Sequence, residues 1–228
     1  MRTWFGLGVF AFAVLACVHA YDASLRERQL RHFLTDEGRG IAEIIKLHNI
    51  PLEKCSIDDS DHLHTLMRAF IIVERFATPR LPYLAKSLFV QAAVALGQDP
   101  GDMSLGPARI RASTALAAAG AVRPSSASSY LSLSRAEVIS RLSTNCDAFN
   151  IGLIVLHAIA LSYDQYTHVD RAFIRFATPK YGGKADHFTT WEAEISANIY
   201  FRLVYSSFQH LRFAAIPQRH SEAFHPGR

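Results

Sequence analysis

An all-α fold follows from three features of the sequence. Apolar residues recur at i, i+3, i+4 and i+7 over most of its length. Residues that cap helices stand before several of these runs, among them Asp61, Ser134 and Thr144. No stretch of any length alternates apolar and polar residues with the period of a strand.

The first twenty residues are set apart from the fold. Arg2 supplies a short positive start, Trp4 to Ala16 is an apolar run, and Val18-His19-Ala20 offers a small-residue cleavage site. This is the pattern of an export signal over residues 1–20. Val14-Leu15-Ala16-Cys17 also has the form of a bacterial lipobox, which would place a lipid anchor on Cys17. No later stretch is long and uncharged enough to span a bilayer. The chain is therefore expected in the periplasm or cell envelope, or secreted.

A first helical region is expected over residues 21–54, from about Ala23 to Leu47, with Gly38 and Gly40 as interruptions. Asp58-Asp59-Ser60-Asp61 then caps a helix that carries Leu63, Leu66, Met67 and Phe70 on one stripe. Pro79 and Pro82 end it, and a helix over Tyr83 to Leu96 follows. Pro107 is read near the start of the next helix, which runs to Ala119. Residues 123–132 are serine-rich and read as a loop. Ser134 and Glu137 form a capping box for a helix ending near Leu142. Thr144, Asn145 and Asp147 cap a helix over Ala148 to Tyr163. A short helix covers Val169 to Phe176, and Tyr181-Gly182-Gly183 is a turn. The last helix runs from Trp191 to Phe213, and residues 214–228 form a loose tail.

The formal charge of the whole chain is +4. Arg2 is the only charged residue of the leader, so the remainder stays mildly basic, which suits a polyanionic partner such as a cell wall. No basic stripe interleaved with aromatics points to nucleic acid. Cys55 and Cys146 are left after export, and an oxidising compartment makes a disulfide between them the default. The acidic cluster before the first capped helix lacks the glycine and the terminal glutamate of an EF-hand. His62 and His64 are two apart and do not face one another on a helix, so no metal or cofactor site is expected.

Glu74 breaks the pattern. It falls on the apolar stripe, four residues past Phe70, at the end of a run that is apolar all round from Ala69 to Val73. A carboxyl held there is costly to ionise, so its pKa is expected to rise, as in an acid that protonates a leaving oxygen. The alternative is a buried ion pair with Arg75, Arg80 or a distant arginine. Some thirty residues on, Ser104-Leu105-Gly106-Pro107-Ala108-Arg109-Ile110-Arg111-Ala112-Ser113-Thr114-Ala115 places a glycine where a ligand approaches the backbone closely.

These two segments together are similar to those of lysozyme-like enzymes. Glu74-Arg75-Phe76 with Pro79 resembles the Glu-Ser-x-Phe-x-Pro element of soluble lytic transglycosylases. Ser104 to Ala115 resembles their Gly-x-x-Gln-Ile-x-Pro-x-Thr-Ala element. Asn150-Ile151 is similar to the Asn-Ile pair that opens a later helix. Tyr181-Gly182-Gly183 is similar to the Tyr-Asn-x-Gly motif, with Phe176-Ala177-Thr178 as a competing frame. The resemblance spans residues 55–213. Where the family has glutamine this chain has Arg109, where it has proline the chain has Ala112, and the asparagine of the tyrosine motif is missing.

The resemblance implies a lysozyme-like helical domain that cleaves the MurNAc–GlcNAc β-1,4 bond of peptidoglycan. Glu74 would be the single catalytic acid and base. Ser104, Gly106, Arg109, Ile110, Thr114 and Tyr181 would contact glycan, with no cofactor. Two other outcomes stay open: a catalytically inactive wall-binding or interaction protein, and a hydrolytic lysozyme using Asp99 or Asp102 as a second carboxylate.

Overall fold

The computed structural model describes residues 2–50, 52, 55, 61–78, 80–122, 132–181 and 197–214. These residues are predominantly helical, in agreement with the all-α expectation. The lone exception is a hairpin of two very short strands.

The chain opens with α1 (Arg2–Thr35), a helix that passes Ala20 without a break. From position 13 to Ala20 its side chains are exposed, and inward-facing residues begin at Asp22. The break between the first two helices falls at Asp36 rather than at the glycines. Its carboxylate accepts the Arg39 N–H at 3.1 Å and caps α2 (Glu37–His48). Gly40 lies inside α2 for a packing reason. A Cβ there would stand 2.3 Å from the Phe33 Cα, so the glycine lets α1 and α2 cross in contact.

Asp61 starts α3 (His62–Ala77), accepting the Leu63 N–H at 2.8 Å. The other residues of the acidic cluster lie outside those described. Nearly every side chain of α3 is buried, which makes it the central element of the fold. It is followed by α4 (Arg80–Ala95), whose first turn contains Pro82.

The expected helix at Pro107 is replaced by the hairpin. β1 (Ser104–Leu105) pairs antiparallel with β2 (Ile110–Arg111), in the register Ser104 opposite Arg111 and Leu105 opposite Ile110. Pro107 sits in the connecting loop, and α5 (Ala112–Ala121) begins only after β2. Two-residue strands leave no alternation to read, which is why the sequence concealed them.

Ser134 and Glu137 form the expected capping box of α6 (Arg135–Leu142). Thr144 caps α7 (Asn145–Leu161), three residues earlier than its expected start. α8 (Arg171–Tyr181) runs past Phe176 to include Tyr181, so that tyrosine ends a helix rather than opening a turn. α9 (Ala197–Ala214) closes the fold against α2, α3 and α8. The expected start of that helix at Trp191, with Gly182 and Gly183, lies outside the described residues.

One apolar core joins these elements. Phe33 and Ile44 from the first two helices, Phe70 and Phe76 from α3, Phe149 from α7, Phe173 from α8 and Phe208 from α9 all belong to it. The 21–54 region therefore shares the core of the remainder. Cys55 and Cys146 are joined by a disulfide across a separation of 91 residues, tying the segment before α3 to the first turn of α7. A cross-link closing a loop of that length stabilises by up to about 4.6 kcal/mol through the entropy it removes from the unfolded chain. Replacing both cysteines by serine is expected to lower the unfolding free energy by about 2–4 kcal/mol. Urea titration of wild type and double mutant measures it, and the reductant-treated wild type should match the mutant.

Candidate functional site

The site grows out of the last turn of α3. Packing on both sides forces this helix to keep one register, and that register turns Glu74 inward at 8% exposure. Tyr200 of α9 donates its hydroxyl to Glu74 Oε1 at 2.5 Å. A hydrogen bond to a carboxyl held this deep offsets part of the cost of its desolvation.

A second tyrosine stands close by. Tyr181 stacks on Phe70 with ring centroids 4.2 Å apart, and its hydroxyl donates to the Ala108 carbonyl at 3.1 Å. Burial, and after it the charge on Glu74, pushes the Tyr181 hydroxyl well above its ordinary pKa. The same two causes act on Tyr200, reinforced by its hydrogen bond to Glu74. Both phenols therefore stay protonated as donors through neutral and mildly alkaline pH.

The hairpin loop faces this acid. Gly106 has φ +65° and a Cβ there would fall 1.7 Å from the Leu142 carbonyl oxygen, so no other residue fits without moving α6. Arg109 also adopts the left-handed region, at φ 55°, with its N–H bonded to the Gly106 carbonyl at 3.1 Å. A non-glycine residue there carries about 1 kcal/mol of strain, which the surrounding packing must sustain. Between the loop and Glu74 lies a cleft of about 290 Å³. Arg26, His48, Arg75, Tyr83, Gly106, Pro107, Arg109 and Asn145 share its walls with Glu74.

Arg26 was not singled out in the sequence. Its side chain is 1% exposed and its Nε is paired with Asp22 at 3.1 Å. Its Nη1 donates to the Arg75 carbonyl at 2.9 Å and to the Phe76 carbonyl, satisfying the C-terminal end of α3. The i,i+4 spacing of Asp22 and Arg26 was legible as an ion pair, but nothing local to α1 said that the pair would be buried beneath a cleft.

The structure brings Glu74, Gly106 and Arg109 together. The remaining expected contacts lie elsewhere. Ile110 is 4% exposed in the core, and Tyr181 is buried behind the loop. Thr114 is half-buried on α5 and is not a lining residue. Ser104 accepts a hydrogen bond from Lys86 Nζ at 3.2 Å in a small depression next to the cleft. Asp99 and Asp102 both pair with Arg135, and Asp102 also accepts from the Ser113 N–H and hydroxyl at the start of α5. Neither aspartate lines the cleft. Among the described residues no group of three His, Cys, Asp or Glu side chains is placed to hold a metal ion.

Lys86 stands out beside the loop. Half-burial, then the positive charges of Arg109 and Arg111, lowers its pKa to about 8. Comparison with protein-family models, with curated proteins and with solved structures gives no match for this chain.

Two outcomes are expected. Acylation of Lys86, followed by peptide mass spectrometry, should reach half its maximal rate near pH 8 rather than near the ~10.4 of a free lysine. Removing the arginine charges by Arg109→Gln with Arg111→Gln should move that midpoint upward. Gly106→Ala should destabilise the protein by about 2–3 kcal/mol, because left-handed strain and the clash with α6 act together. Thermal unfolding followed by circular dichroism measures this, with Gly120→Ala, which meets open space within α5 and should be neutral to slightly stabilising, as the control.

Proposed function

We propose that this chain is an exported, lysozyme-like peptidoglycan-cleaving enzyme that acts as a lytic transglycosylase, with Glu74 as its one general acid and base. The observation that carries the reading is the buried Glu74 at the end of a central helix. It faces a glycine-bearing hairpin loop across a cleft, in the order and spacing of the resembling motifs. Glu74 first gives its proton to the glycosidic oxygen between MurNAc and GlcNAc. The carboxylate formed then takes the proton of the muramyl 6-hydroxyl as that oxygen closes on the anomeric carbon. The product is a 1,6-anhydro sugar, and no water is consumed. Tyr200 fixes the orientation of the carboxyl through its hydrogen bond. Arg109, in place of the family's glutamine, donates to sugar hydroxyls or to the muramyl carboxylate.

The lack of a second carboxylate among the described lining residues supports this one-acid reaction over two-carboxylate hydrolysis. Asp99 and Asp102 are accounted for by Arg135 and by the start of α5. One observation favours a second reading, a protein that binds wall glycan without cutting it. The cleft carries Arg75 and Arg109, a cationic lining suited to holding an anionic ligand. Export rests on the leader-like residues 1–20, and a lipid anchor at Cys17 remains the alternative way of keeping the protein at the envelope.

Purified peptidoglycan distinguishes these readings. Wild type is expected to clear it, with anhydro-muropeptides in the released fraction. Glu74→Gln should reduce clearing by about 10³-fold while still binding the wall. Products with a reducing MurNAc end would indicate hydrolysis. Binding by wild type with no release of soluble fragments would establish the glycan-binding reading.

A further inference from the structure

The outward face of α4 lacks the polar character that a surface helix normally has. Among the described side chains, Leu84, Ala85, Leu88, Phe89, Ala92 and Leu96 point outward on or just beyond it, with Gln91 polar in the same arc. Leu88 is 66% exposed, Phe89 55% and Leu96 74%. A continuous apolar arc of four turns is unusual for a surface helix, in contrast to scattered single leucines. Among the described residues nothing covers it.

Two observations identify what it meets. The first is charge. Lys86 borders the arc on α4, and its Nζ reaches at 3.2 Å the hydroxyl of Ser104, the residue paired with Arg111 in the hairpin. The apolar face is thus edged on its hairpin side by Lys86 and Arg111. The second is continuity. α1 packs against α4, and Arg26 fixes α1 to the end of α3 immediately before α4 begins. In the chain that keeps its leader, Val14, Leu15 and Val18, upstream on α1, are exposed as well.

We propose that the α4 face docks on an anionic lipid bilayer. Leu88, Phe89 and Leu96 enter the headgroup boundary, while Lys86 and Arg111 meet lipid phosphates. Apolar side chains on one arc with cations at its edge are the pattern of a helix that lies in the interface plane. Leu84 lines the cleft as well as the face, so docking would bring the cleft mouth to the membrane surface. This inference does not depend on what the cleft cleaves.

The test places a reporter in the face of the full chain. Phe89→Trp and, as control, Leu161→Trp are mixed with vesicles of phosphatidylethanolamine and phosphatidylglycerol carrying brominated acyl chains. Leu161 is 67% exposed at the end of α7. The wild-type tryptophan signal is subtracted. Quenching is expected at 89 and not at 161, so the readout concerns the helix and not the leader. Adding Leu88→Glu should weaken vesicle binding by at least about tenfold. Exchanging phosphatidylglycerol for phosphatidylcholine should weaken it severalfold. Circular dichroism checks that each variant is folded, and Leu88→Gln replaces Leu88→Glu if it is not. No quenching at 89, or equal quenching at both sites, overturns the proposal. So does a wild-type dimer that Leu88→Glu disperses without any vesicle binding, which would assign the face to a second copy.

Discussion

The contact between Glu74 and Tyr200 links elements that are 126 residues apart, and much of the site depends on it. A carboxyl turned into an apolar interior is tolerated only where hydrogen bonds and opposite charge replace the water it has lost. Here α9 supplies the phenol, while Arg109 of the hairpin and Arg75 of α3 stand in the wall of the same cleft. Each supporting group comes from a different part of the chain. The carboxyl can therefore be held only in the assembled fold.

The hairpin is the counterpart of that acid. Its loop is shaped by two left-handed residues, one glycine and one arginine, and it is anchored from both sides. Gly106 presses against the end of α6, and Tyr181 reaches from α8 to the Ala108 carbonyl. The disulfide brings the first turn of α7 to the segment ahead of α3. A cleft wall made of four loop residues is rigid here because helices α6 and α8 hold it, while its own two-residue strands contribute little. That rigidity would let a single acid serve both proton transfers in the proposed reaction.

Helix identity was largely legible in the sequence. The capping residues Asp61, Ser134 and Thr144 mark helix starts because their side chains satisfy backbone N–H groups only a few residues away. The inward position of Glu74 was legible too, since the stripe of Leu63, Leu66, Met67 and Phe70 leads directly to it. The hairpin was missed because its strands are too short to show a period, and Pro107 imitated a helix start. Tyr181 was read into a turn by the glycines that follow it, whereas its ring is buried against Phe70. Among the proposed glycan contacts, Ile110 and Tyr181 packed inward. The motif they belong to does not by itself tell an exposed side from a buried one.

Local chemistry therefore determined the helices, their caps and the presence of one misplaced acid, because those depend on neighbours within a turn or two. Tertiary structure decided which groups surround that acid. Tyr200 reaches Glu74 from α9, and Arg26 and Arg109 reach the cleft from α1 and the hairpin, and no periodicity within any one of those segments specifies where the other two will lie. Whether a charged or apolar side chain ends up in solvent, in the core or in a cleft is set by the packing of whole helices. Hence Arg26 is buried although it is charged, and Leu88 is exposed although it is apolar.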